Sequence, residues 1–592
     1  MILLLLLLFL IGFAPPALAQ QPFAERCAPC HGDEARGSAK GPGLAMNPRV
    51  AAQTVDELRA FLERGNPGAG MPAFADLPHA ELLALARYLR RLNVETIIPP
   101  PAAADPARAA ALGPPAPGDW RTYNGSDSGN RYSPLTGITP ANVASLRLQW
   151  VFPMSYFGLE VTPLAADGVL YATGPNQVVA LDALSGAALW RYSRPPTPGL
   201  VGDARLGTNR GVALLDDKIF FVTDNAHLLA LDRATGALGW ETTMAPDAAG
   251  EQHQYGGTIA PLVVHQTVIA GVSGADAGIR GFVAAFDVRT GALVWRRWTV
   301  PRHDEPGIET WKGPEPIRGG GSTWQTGSYD AASDTLYWAT GNPWPGGDDR
   351  DRPGDNLYTN CVLALDAKTG AVKWYYQFTP HDVEDRDATE PNVLVDRVYQ
   401  GRPAKLLLHA DRNGFFYVLD RASGAVLLAK PFLRRVDWAS GIGADGRPLV
   451  TDPHGCPTDA ANWASTAFSP LTGLYYFLAL EECVGKPTGY PDQTGQRFLR
   501  AVNIETGEIA WEVPQPGAAR AKTWSGVLAT ATGLLFYGQP NGGFTAVDQR
   551  TGKTLWQFPT NARMKASPMT FSVGGRQYVA VAAGPNILCF GL

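Results

Sequence analysis

The chain has 592 residues, with 50 Lys and Arg against 55 Asp and Glu and a formal net charge of −5. That length exceeds one ordinary core and calls for at least two domains, and so small a charge excludes nucleic acid or an anionic surface as the main partner. The 65 Gly, 49 Pro and 16 Trp predict many short strands joined by turns.

The chain opens "MILLLLLLFLIGFAPPALAQQ". This apolar run is short for a membrane span but suits a signal peptide over 1–19, cut after the small-x-small triplet Ala17-Leu18-Ala19. No Lys or Arg precedes the run, so an uncleaved anchor is the competing reading. No later segment is apolar for long enough to span a membrane, and the expectation is an exported, periplasmic protein in an oxidising compartment.

Residues 20–94 begin with "CAPCHG". Cys27 and Cys30 have the spacing to add across two haem vinyl groups, and His31 reaches the iron. A redox dithiol or half a zinc site are the alternatives, but before the linker only His79 is left to complete a zinc site. Thr54 with Glu57 predicts a capping box, and Gly65 ends that helix. A second helix follows in "HAELLALARYLRRL", with Leu82, Leu85, Leu89 and Leu92 on one face. Met71, in the loop "GMPAF" between the helices, is the expected second axial ligand, with Met46 as its rival. The segment resembles class I cytochrome c, a small all-α domain carrying haem c. Residues 95–119 have the Pro- and Ala-rich composition of an extended linker.

From 120 to 592 a repeat dominates. "ALDALSGAALW" at 180–190 returns as "ALDRATGALGW" at 230–240 and, through further copies, as "AVDQRTGKTLW" at 546–556, with a weaker "VLDRASGAVLL" at 418–428. Each copy reads as a strand, a tight turn and a returning strand whose Trp packs on a neighbour. Such hairpins cannot bury their own faces, which predicts an all-β propeller whose ring closure protects its edges. Seven copies, with the segment "LRLQW" at 146–150 as the closing strand of one more blade, predict eight blades, the final strand of that blade coming from "YVAVAAG" near the C-terminus. The long gaps around 300–360 and 430–500 are the loops expected to carry function.

One of the inter-repeat stretches, "TPHDVEDRDATE" at 379–390, packs Asp382, Glu384, Asp385, Asp387 and Glu390 into twelve residues. Alone it reads as a solvated acidic loop. The repeats, however, resemble the tryptophan-docking motifs of pyrroloquinoline quinone (PQQ) dehydrogenases, and the fused haem segment resembles their quinohaemoprotein branch. The resemblance implies that Glu160 in "GLEVTPL", Arg210 in "GTNRGVAL", Thr258 in "GTIAPLVV" and Ser273, Gly274 and Ala275 in "GVSGADAGIRG" contact PQQ. It further implies Trp324 beneath the quinone, Trp524 as another contact, Asn342 in "ATGNPWP" as a metal ligand, Asp385 as catalytic base and Arg412 beside the reactive carbonyls. A hard cation would offset the acidic residues, so Asp385 and Asp387 are expected to face calcium and the other acids of the stretch to face water.

The chain departs from the family pattern at three places. Asp276 stands where a metal-binding Glu is common, and Glu384 where a Trp is. The family's adjacent cysteine pair is missing from "DARLGTN", and Leu206 is expected to cover the cofactor instead. Asp387 resembles the extra acid of lanthanide-using relatives, so a lanthanide is the alternative metal. The resemblance also implies a Cys456–Cys483 disulfide, and Cys361 and Cys589 are expected as buried free thiols on strands.

The function so implied is oxidation of an alcohol, or an aldose-like hydroxyl, by PQQ with metal assistance, the electrons passing to the fused haem and on to a periplasmic or membrane acceptor. Two readings compete with it: a non-catalytic propeller that binds partner proteins, and a haem electron-transfer protein that no longer binds PQQ.

Overall fold

The structure is a computed structural model, and the residues it describes are 22–32, 35, 37–38, 40–45, 47, 50, 53–92, 112–113, 115–156, 158–245, 255–314, 316, 318–483, 495–517 and 524–592. The expected signal peptide, Met46 and most of the expected linker lie outside them. The chain divides into two compact units, Met1–Ile98 and Pro99–Leu592. No helix among the described residues is long and apolar enough to cross a membrane.

In the first unit, helical pieces at Phe23–Cys27 and Ala28–His31 carry the Cys-x-x-Cys-His motif. The capping box forms as expected: Thr54 accepts from the Glu57 N–H at 3.2 Å, and Glu57 Oε2 accepts from the Thr54 N–H at 2.7 Å. The helix runs Val55–Arg64 and stops at Gly65, whose φ of 66° a residue with a Cβ rarely adopts. Leu58 and Leu62 from it meet Leu82, Leu85, Ala86 and Leu89 of the helix His79–Arg91 in one core, with Leu92 partly buried at its edge.

The second unit has eight antiparallel sheets of four strands, one of which gains Tyr132–Ser133 as a fifth. Leu164–Ala166, Val169–Gly174, Gln177–Asp182 and Ala188–Ser193 make the first sheet in order, and burial falls from its first strand to its fourth. The eighth sheet closes the ring: Met569–Val573, Arg576–Ala583 and Asn586–Gly591 are joined by Arg147–Pro153 from the other end of the unit. The closing strand therefore pairs with Asn586–Gly591, not with "YVAVAAG", which supplies the second strand. The turn at Gly584, with φ 57°, sends the chain back once more before it ends.

The repeat motif ties sheet to sheet. In the turn between third and fourth strands, Asp182 accepts from the Leu184 and Ser185 N–H groups and from the Ser185 hydroxyl, and Asp232, Asp287, Asp366, Asp420 and Asp548 repeat the pattern. Each Trp then donates its indole N–H to the next motif: Trp190 to Arg233 O at 2.9 Å, Trp295 to Ala367 O at 3.1 Å and Trp511 to Gln549 O at 3.0 Å. Trp556 donates to Leu146 O at 3.2 Å and so docks the seventh sheet on the chain entering the closing strand. In the weak copy Leu428 replaces the Trp and packs over Gly507 without that hydrogen bond.

Candidate active site

In an antiparallel meander the start of the first strand and the turn from second to third lie at the same end, opposite the Asp-x-x-Thr-Gly turns. Both places supply the candidate residues. Glu160, Arg210, Thr258, Trp324 and Trp524 each stand three or four places ahead of a first strand, beginning at Leu164, Ala213, Leu262, Ser328 and Val527. Ser273–Asp276, Asn342 and Arg412 follow the second strands Thr267–Gly271, Thr335–Ala339 and Arg402–Ala410. Residues as far apart in sequence as Glu160 and Trp524 thus face one mouth.

One half of this mouth is built on Arg210. Its guanidinium donates to Glu160 Oε2 at 2.7 Å and to Thr258 O at 3.2 Å, and it lies between the Trp324 and Trp463 rings, 4.6 Å from each centroid. Trp463 and Trp524 belong to one core cluster, with Trp324 packed against it. The Thr258 and Ser273 hydroxyls are buried without a hydrogen-bond partner. In the segment expected to cover the cofactor, Leu206 ends a short 3-10 turn and is 47% exposed, and Gly202 of the same loop lines the cleft.

The other half is acidic. A cleft is lined by Ser273, Gly274, Ala275, Asp276, Trp324, Asn342 and Asp387, among others. Asn342 Nδ2 donates to Asp276 Oδ1 at 3.1 Å, and the Asn342 N–H donates to Asp387 Oδ1 at 2.9 Å. A Cβ on Gly341 would collide with that Asp387 oxygen, so glycine is what allows the approach. Arg412 joins Asp385 at 3.3 Å, Asp387 at 3.8 Å and Asp459 at 3.3 Å. Asp385 has a left-handed backbone, φ 57°, unusual for a residue with a Cβ, and stands with its side chain 48% exposed at the cleft edge.

These acids are not comfortable together. Desolvation by the surrounding protein, opposed by Arg412 and reinforced by the like charges of Asp276, Asp382 and Asp459, pushes the Asp385 carboxyl up to about 7. Burial first, then Asp385, holds Asp387 well above the usual range. Arg412 alone cannot neutralise the set. The Asp276 and Asp387 carboxylates and the Asn342 amide oxygen in one cleft, with Asp385 joined to it through Arg412, are donors of the kind a hard cation takes, and buried unpartnered hydroxyls beside an arginine suit a polar anionic ligand. The residues present therefore fit both the metal and the quinone.

Two acids of the 379–390 stretch correct the expectation that they face water. Asp382 is buried, accepting from Asn360 Nδ2 at 2.9 Å and from the Arg386 N–H at 2.7 Å, and so braces the loop that presents Asp385. Glu390 is buried beside His409, whose Nε2 lies 3.7 Å from Glu390 Oε2 and 3.1 Å from Asp411 Oδ2. Glu384, partly exposed, pairs with His454. Trp463 and Asp459 belong to the site and were missed by sequence reasoning; Trp463 stands four places ahead of the first strand Ala467–Ser469, the spacing that marks Trp324.

In the first unit, His31 is buried and its Nδ1 lies 2.7 Å from Pro42 O, which leaves Nε2 for iron. A Cβ on Gly41 would press on the His31 ring, so the ring is seated against bare backbone. Met71 is paired with Asn66 through two backbone hydrogen bonds and packs on the core that holds Cys27. Cys27 and Cys30 are free thiols, as haem attachment requires. Elsewhere Cys456 and Cys483 form a disulfide, and Cys361 and Cys589 are buried free thiols on strands.

The fold and these constellations define a quinone-dependent dehydrogenase propeller with a cytochrome unit. The model of the glucose/ethanol/alcohol dehydrogenase β-propeller domain matches residues 120–429 and 498–579, and that of the cbb3-type cytochrome c oxidase subunit III matches 14–89. The chain is 37% identical over 529 residues to quinohemoprotein alcohol dehydrogenase ADH IIB of Pseudomonas putida, covering 79% of this chain and 74% of that one. It is 33% identical to the lanthanide-dependent methanol dehydrogenase of Methylorubrum extorquens, covering 77% and 85%. The solved quinohemoprotein alcohol dehydrogenase of Comamonas testosteroni superposes with a TM-score of 0.73 at 32% identity, covering 80% of each chain. The chain belongs to the PQQ-dependent alcohol dehydrogenase family, quinohaemoprotein type. Its cofactors are PQQ and haem c, with calcium or a lanthanide as the metal.

Proposed function

We propose that this chain is exported to the periplasm, with a signal peptide over 1–19, a haem domain over 20–94, a linker over 95–119 and a catalytic propeller over 120–592, and that it oxidises an alcohol at the mouth of the ring. Asp276, Asn342, Asp385 and Asp387 would hold the cation, and Glu160, Arg210, Thr258, Ser273, Gly274, Ala275, Trp324 and Trp524 the quinone. Cys27 and Cys30 would carry the haem, with His31 and Met71 as axial ligands. When bound, PQQ supplies a two-electron acceptor that the cation polarises, and the haem a one-electron relay toward an external acceptor.

The chain's own part is positional and acid–base. Asp385 stands at the cleft edge, where it takes the proton of the substrate hydroxyl. Asp276, Asp387 and Asn342 would hold the cation beside Asp385, and with it bound Asp385 would bind protons less tightly and stay ionised. Arg412 orients Asp385 and offers its guanidinium to an oxygen that gains charge. Trp324, which lines the cleft, supplies a flat apolar wall to the ligand, and Trp463 helps hold Arg210 in place.

The observation that carries this reading is the Asp276–Asn342–Asp387 chain of hydrogen bonds, tied to Asp385 through Arg412. The test is haem reduction in the full chain loaded with PQQ and either calcium or lanthanum, against a panel of alcohols. At least one alcohol reduces the haem, and Asp385→Asn slows that reduction by about a hundredfold or more. Haem that stays oxidised with every alcohol and both metals overturns the reading in favour of a scaffold. Calcium activity equal to or above that with lanthanum assigns calcium.

A further inference from the structure

Six of the eight sheets have a residue of the mouth three or four places ahead of the first strand: Glu160, Arg210, Thr258, Trp324, Trp463 and Trp524. The eighth sheet begins at Met569, and the residue four places ahead of it is Lys565. Ring geometry brings all such positions to the same opening, so Lys565 belongs there by construction. The side-chain geometry agrees: Lys565 Nζ is 3.8 Å from Glu160 Oε1, on the oxygen that faces away from Arg210. Its neighbours Met564 and Ala566 are fully buried, which fixes the backbone that presents it, while the Lys565 side chain itself stays 41% exposed.

Charge accounting gives it a task. Arg210 is already matched by Glu160 and the Thr258 carbonyl. A tricarboxylate entering this half of the mouth therefore meets a neutral pair, one member of which repels it. The Lys565 ammonium makes no hydrogen bond among the described residues and reaches Glu160 only at ion-pair distance. It is the cation left over. We propose that Lys565 binds a carboxylate of the quinone, a contact that the family resemblance does not supply. The proposal rests on the reading that PQQ occupies this mouth.

The test uses the full haem-bearing chain, prepared without PQQ and titrated with it in excess calcium, the unbound quinone being measured by absorbance after ultrafiltration. Lys565→Met weakens PQQ binding by at least about tenfold at low salt, because a charge-assisted hydrogen bond is lost, and its affinity falls less steeply with added salt than that of the wild type. Lys565→Arg stays within about threefold of the wild type. Lys553→Met, an exposed lysine beside a turn at the opposite end of the seventh sheet, leaves binding unchanged. Lys565→Met that binds as tightly as the wild type, with the same salt dependence, overturns the assignment and leaves the quinone site standing. A wild-type chain that binds no PQQ overturns both.

Discussion

At the scale of single residues, the acidic stretch shows how one composition serves several ends. Asp387 lines the cleft, Asp385 pairs with Arg412 beside it, Asp382 is spent on backbone N–H groups, and Glu390 sits in the interior with neither carboxylate oxygen hydrogen-bonded. Burial first, then the charge of Asp411, holds the Glu390 carboxyl well above its ordinary range. A carboxyl whose folded-state pKa lies above the unfolded value of about 4.3 binds its proton more tightly in the native protein. Stability is then lost as pH rises from the unfolded pKa through the folded one. Glu390→Gln keeps the shape and removes the titration. The variant is expected to gain in melting temperature over the wild type as pH rises from about 4 to 8, read by calorimetry. A constant difference across that range would sink the assignment. Composition alone did not make this division legible, because five carboxylates in twelve residues look alike until the fold sets the depth of each, and the resemblance separated only Asp385 and Asp387 from the rest. Asp385, Asn342 and Arg412 could be singled out only by resemblance; Trp463 and Lys565 lie in loops whose local sequence gives no signal of their spacing from a strand.

At the scale of elements, the repeat was legible because its chemistry is local. An Asp that accepts the N–H groups two and three places on, a Gly with φ near 70° and a Trp five places after the Thr or Ser make a complete hairpin within eleven residues. What the Gly does for the neighbouring sheet is visible only in three dimensions. Gly370 has φ 68°, and a Cβ there would collide with the Trp295 ring of the preceding sheet. Gly401, with φ 79°, has nothing within 4 Å of the same construction. Both glycines carry the backbone cost of a left-handed residue, and only the first carries the docking. Gly370→Ala is therefore expected to destabilise by about 2–4 kcal/mol, and Gly401→Ala by about 1 kcal/mol, compared through their urea midpoints. Equal losses would mean that the indole is not held by contact with the bare glycine. The sequence misplaced the closing pair for a related reason: "YVAVAAG" and "NILCFG" are both good strands, and which of them meets Arg147–Pro153 depends on a turn at Gly584 and Pro585 that carries no register information.

At the scale of the whole molecule, the ring is the device that turns scattered positions into one site. Each sheet delivers the residues ahead of its first strand to the same opening, so Glu160 and Lys565 meet although 405 positions separate them. That meeting depends on closure. Met154 N–H donates to Pro585 O at 2.7 Å and Leu159 N–H to Gly584 O at 3.1 Å, so the turn before the last strand holds the segment that ends at Glu160. Asn586–Gly591 in turn pairs along its whole length with Arg147–Pro153. A chain ending at Pro585 keeps both carbonyl acceptors but loses that final strand, exposing an edge on each side of the gap. The loss is expected to lower the melting temperature of the propeller and to weaken PQQ binding by more than tenfold, because Glu160 and Arg210 lose their fixed separation. The haem spectrum should be unchanged, since the core around His31 lies within the first unit. Ultrafiltration binding, calorimetry and haem absorbance on the same preparation separate these effects. A truncated chain that melts and binds as the full one does would show that the neighbouring sheets, and not the closing strand, hold the mouth in shape.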